Sequence, residues 1–108
     1  MKLLTRIEEL ILFSIWRLQD NAYCIPIHEH IVKLTGENIL LGSIYMPLDR
    51  LVKREYLESY LSDSTPERGG RHKRIYRVTP EGRKALHKVR ELQHQMWEEA
   101  PHFSFEKE

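Results

Sequence analysis

The spacing of apolar residues changes period after Glu55 and changes back at Thr79, and this limits what the chain can fold into. Before Glu55 the apolar residues recur at intervals of three and four, the period of a helix with a buried stripe. Leu57-Glu58-Ser59-Tyr60-Leu61-Ser62 and Ile75-Tyr76-Arg77-Val78 alternate instead, as half-buried strands do. A connection from about Asp63 to His72, flexible at Gly69-Gly70, joins them into one hairpin. Thr79-Pro80-Glu81 then sets an N-cap hydroxyl before a proline at the first helical position, the start of another helix. The predicted fold class is mainly α with a small β-hairpin.

Three helices are predicted ahead of the hairpin. Thr5 and Glu8 have the capping-box spacing, and Ile7, Leu10, Ile11, Ile15 and Leu18 follow as one stripe. Leu12, Phe13 and Trp16 point the other way. A single domain of 108 residues has room to cover only one of these two faces. The second helix runs from Ile27 to Leu34, with Pro26 in its first turn and Ile27, Ile31 and Leu34 inward, until Thr35-Gly36-Glu37-Asn38 breaks it. The third starts near Leu41 or Gly42, which makes Pro47 tolerable because first-turn amides have no partner within a helix. Its stripe is Ile44 or Tyr45, Leu48, Leu51 and Val52. The last helix carries Ala85, Val89, Leu92 and Met96, a narrow seam of the kind that pairs with another helix, and Pro101 stops it.

The formal net charge of +1 conceals an uneven distribution. From Arg68 to Arg90 stand Arg68, Arg71, Lys73, Arg74, Arg77, Arg83, Lys84, Lys88 and Arg90, opposed only by Glu81. A hairpin tip loaded with cations has little use for a core, but it can lie along a phosphate backbone while the third helix enters the major groove. Helix, helix, helix, hairpin, helix, with a basic hairpin, is the winged helix-turn-helix order. We expect residues 1–79 to be the DNA-binding domain, 80–100 a C-terminal dimerisation helix and 101–108 a flexible tail.

Gly42-Ser43-Ile44-Tyr45, Leu48-Asp49-Arg50-Leu51, Tyr56-Leu57-Glu58, the basic Gly-containing loop, Tyr76-Arg77-Val78-Thr79 and Glu81-Gly82 together resemble the PadR-like transcriptional regulators, in their short-tailed branch with one helix after the wing. The resemblance implies a homodimeric winged-helix repressor in which the last helix of one subunit packs against the first helix of the other. Two positions depart from the family pattern. Met46 precedes the proline, and Glu55 stands where glycine usually ends the third helix. A left-handed Glu there costs about 1 kcal/mol more than Gly, so either Glu55 carries that strain or the turn has another shape.

The expected DNA-binding residues are Ser43, Tyr45, Met46, Pro47, Arg50, Lys53 and Arg54 on the third helix, and Arg68, Gly69, Gly70, Arg71, His72, Lys73 and Arg74 in the wing. Arg50 is the preferred base reader or phosphate clamp, because arginine bonds guanine bidentately. Tyr45 is expected to seat its ring in the core with the hydroxyl outward. Leu12, Phe13, Trp16, Ala85, Val89, Leu92 and Met96 are the expected dimerisation residues. Some short-tailed relatives stack flat drugs on aromatic side chains at the dimer interface. Trp16 is expected first as dimer-core packing; the resemblance adds a second reading, a small aromatic effector held by Trp97 and Trp16, and for Trp97 the two readings stand close together.

A solitary Cys24 excludes an intrachain disulfide and suggests a reducing compartment. His28 and His30 lie two apart on a helix and so face different ways, which does not suit a metal. No phosphate-binding glycine motif or nucleophile elbow is present. Neither an enzyme, a cofactor nor a membrane protein is expected, and the location is read as cytoplasmic. The alternative function is a winged-helix module that binds another protein and no DNA, against which the basic wing argues.

Overall fold

The computed structural model describes residues 2–63 and 72–101. Along the chain run α1 (Arg6–Leu18), α2 (Cys24–Thr35), a 3-10 turn (Leu41–Ile44), α3 (Tyr45–Lys53), β1 (Leu57–Leu61), β2 (Arg74–Val78) and α4 (Pro80–Glu99). The strands pair antiparallel with Leu57 opposite Val78 and Leu61 opposite Arg74. The expected wing tip with Arg68, Gly69, Gly70 and Arg71, and the expected tail from residue 102, lie outside the described residues.

Thr5 caps α1 as its spacing predicts. Its hydroxyl accepts from the Glu8 N–H at 3.2 Å, and the Glu8 carboxylate accepts from the Thr5 N–H at 2.8 Å. Ile11, Leu12, Ile15, Ile27, Ile31, Ile44, Leu48, Leu51 and Leu57 form a core against which β2 packs. The Tyr76 N–H donates to the Ala22 carbonyl at 2.8 Å, so the hairpin root is tied to the segment between α1 and α2. His28 Nε2–H donates to the Ile39 carbonyl, and His30 Nδ1 shares a 2.7 Å hydrogen bond with the buried Ser14 hydroxyl. Both rings therefore serve the packing of α2.

The junction of α3, β1 and α4 is closely packed. Glu55 adopts φ 65°, so it does hold the left-handed turn usually given to glycine. The Thr79 hydroxyl donates to the Glu55 carbonyl at 2.6 Å and accepts from the Gly82 N–H at 3.0 Å, capping α4 and clipping it to that turn. The Thr79 N–H donates to the Tyr56 carbonyl at 3.1 Å. Gly82 lies against the same carbonyl, where a Cβ would stand 2.2 Å from the oxygen. Glycine is thus required at 82 by close approach.

Three expected faces are corrected. Leu12 is fully buried in the core of its own chain, because at about 100° per residue it falls within the arc of Glu8, Ile11 and Ile15. Ala85 is buried there as well. Neither is available to a second copy. Leu34, expected inward, is exposed in the last turn of α2.

Candidate nucleic-acid interface

The outer arc of α3 carries Tyr45, Met46, Asp49, Arg50 and Lys53, all exposed, with Ser43 exposed in the turn before it. Pro47 does not belong to this arc. It is buried about 40° around the helix from Leu51, which removes it from the expected contacts. Tyr45, expected to seat its ring in the core, is about half exposed. Asp49 is not among the expected contacts, yet it sits within the exposed arc, between Tyr45 and Lys53. Its carboxylate is the type of group that accepts from the cytosine amino group and repels phosphate.

Arg50 is held from behind. Its Nε donates to Glu8 Oε2 at 3.1 Å, and no other bond engages its guanidinium among the described residues. Glu8 is only 3% exposed, and its other oxygen accepts from Thr5 and lies 3.9 Å from Arg54 Nη1. Burial by itself pushes the Glu8 carboxyl up. The hydrogen bonds from the Thr5 backbone, Arg50 and the Thr5 hydroxyl, with the Arg50 charge, outweigh it and hold the group below the ordinary glutamate value. The capping spacing points to Thr5 as one partner of Glu8, but nothing local points to Arg50. Arg54 is occupied within the chain. It donates to the Lys2 carbonyl at 2.8 Å and stacks 4.8 Å from the centroid of the Tyr56 ring.

At the hairpin, His72 donates through Nδ1–H to the Ser62 carbonyl, and Arg74 Nη1 donates to the Ser59 hydroxyl at 3.0 Å, with both residues exposed. Lys73 is half-buried, its ammonium 4.0 Å from the centroid of the Tyr23 ring, a cation–π contact that holds it against the body.

On the opposite side, a groove of roughly 620 Å³ between α1 and α4 is lined by Leu10, Phe13, Trp16, Leu34, Leu86 and Val89, with the Arg83 guanidinium 6.0 Å from the Trp16 ring. Phe13 and Trp16 are each 44% exposed, and Leu92 and Met96 stand exposed beyond the groove on α4. Trp97, in the last turns of α4, does not line this groove. Among the described residues no group of His, Cys, Asp and Glu could hold a metal ion, and no helix is long and apolar enough to cross a membrane.

No curated protein matches the chain. Solved structures do. A PadR family transcription regulator from hypervirulent Clostridium difficile is 29% identical, over 87% of this chain and 88% of that one, with a TM-score of 0.65. A transcriptional regulator from Clostridium thermocellum is 26% identical over 85% and 84%, with a TM-score of 0.69. A PadR-like transcriptional regulator from Bacillus cereus, 23% identical over 83% and 82% with a TM-score of 0.70, adds the likeness of fold. The model of the PadR-like transcriptional regulators matches residues 12–88, from the middle of α1 through the first half of α4. The chain therefore belongs to the PadR-like family of transcriptional regulators, a family of regulators and not of enzymes, and has the winged-helix fold with one helix after the wing.

Proposed function

We propose that this chain is a cytoplasmic repressor that binds an inverted-repeat operator as a homodimer. In this reading residues 1–79 form the DNA-binding unit and 80–100 the dimerisation helix. The observation that carries it is the exposed arc of α3, with Arg50 fixed on one edge, Tyr45 on the other and Lys53 between them, followed in the chain by a hairpin whose outer end carries His72 and Arg74. Dimerisation is supported by the Phe13–Trp16 face and by Leu92 and Met96, which the described residues leave exposed. Two recognition helices related by a twofold axis would meet the duplex about 34 Å apart. A small flat effector would stack on Trp16 in the groove, where Arg83 already approaches the ring, and release the DNA.

Fluorescence anisotropy with a duplex enriched by the chain from a randomised pool tests the reading. Affinity is expected to fall linearly with salt on a log–log scale, through counterion release, and Arg50→Ala to weaken binding about tenfold. Binding indifferent both to salt and to Arg50→Ala would overturn it.

A further inference from the structure

We propose that Glu8, at the start of α1, is a positioning residue for sequence readout, its buried carboxylate fixing the Arg50 guanidinium so that the two Nη groups are presented to a base edge. This deepens the DNA-binding reading above and rests on it. A free arginine side chain has much rotamer entropy to lose on binding. Here much of that freedom is already removed, because Arg50 Nε is bonded at 3.1 Å to an oxygen that cannot swing away. The carboxylate is buried, and its second oxygen is held by the Thr5 N–H at 2.8 Å. With Nε occupied, a bidentate contact to the O6 and N7 acceptors of guanine can use only the Nη1–Nη2 end of the fork. The same carboxylate offsets part of the Arg50 charge, so Arg50 is less useful as a clamp for phosphates of any sequence.

This arrangement predicts effects of opposite sign on two duplexes, which a merely structural glutamate would not produce. With the enriched duplex and a shuffled one of equal composition, Glu8→Gln is expected to weaken the first complex about tenfold. On the shuffled duplex its affinity is expected to be unchanged or tighter. In an Arg50→Ala background, Glu8→Gln is expected to change neither. Equal weakening on both duplexes, or the full loss persisting without Arg50, overturns the inference while leaving the DNA reading standing. Absence of salt-dependent binding by the unaltered chain overturns both. Should Glu8→Gln fail to fold, the arginine side-chain nitrogen spectrum of the unaltered chain decides. Arg50 Nε–H exchanging more slowly than that of the exposed Arg17 supports the positioning role, and equal exchange overturns it.

Discussion

The two sides of α1 meet their neighbours in opposite ways. At its N-terminus Glu8, Arg50, Arg54, Tyr56 and Lys2 satisfy one another, and the turn after α3 is clipped to α4 through Thr79. No buried side-chain polar atom is left without a partner among the described residues. On the groove side Phe13, Trp16, Leu34, Leu92 and Met96 keep much of their apolar surface in water. Such surface loses about 25 cal/mol for each Å² left uncovered, and contiguous patches of it mark interaction sites. The aim of α3 is thus set inside one chain, whereas the α1–α4 groove is left open by the described residues and is the face that the proposed dimer would cover. A perturbation of the first region should act on folding, and one of the second on association.

Gly82→Ala is the most severe way to break that contrast. Its Cβ would meet a backbone oxygen, Tyr56 O at 2.2 Å, and Val78 Cγ1 at 2.8 Å, so relief requires α4 to move off β1. A loss of about 3 kcal/mol or more is expected in chemical denaturation, a large share of the roughly 5–15 kcal/mol that such domains possess. Leu92→Glu tests the other side. It removes burial worth about 2 kcal/mol per chain at the proposed seam, and puts a charge there. Sedimentation should show a shift from dimer to monomer, with the circular dichroism of the chain unchanged. A dimer undiminished by Leu92→Glu would place the seam elsewhere.

What the sequence discloses divides along the same line. Thr5–Glu8, Thr79-Pro80 and the change of period after Glu55 are local signals, and the elements they predict stand within a few residues of the observed ones. Gly82 is different. Its position in Glu81-Gly82 marks a resemblance, but the reason for it is the Tyr56 carbonyl, which only the fold brings near. Leu12 was misplaced because assigning one helix face by apolar type alone ignores that a buried arc can include a carboxylate. With Glu8 inside the arc, Leu12 falls inside too. The bond from Arg50 to Glu8 spans 42 residues of chain, and the Lys73–Tyr23 contact likewise joins separate elements. Charge alone marks Arg50 and Lys73 as candidate DNA contacts and says nothing of these partners within the chain.

The smallest expected effect is that of acid. The Glu8 carboxyl is held below its ordinary value in the folded chain, so the folded state binds this proton more weakly than the unfolded state does. The stabilisation is therefore fully present above the ordinary glutamate value and is lost as the pH falls through the lower, folded one. It is modest, since burial works against the hydrogen bonds that lower the value. Denaturation midpoints measured downward from neutral pH should fall in that acid window for the unaltered chain. In Glu8→Gln the part of the slope due to this group should vanish, while Leu92→Glu, which leaves Thr5, Glu8 and Arg50 in place, should keep it. A slope identical in Glu8→Gln would mean that the Thr5–Glu8–Arg50 cluster does not distinguish the charged from the neutral carboxyl. The first of the two regions would then owe its rigidity to packing around Gly82 and Leu51 instead of to this ion pair.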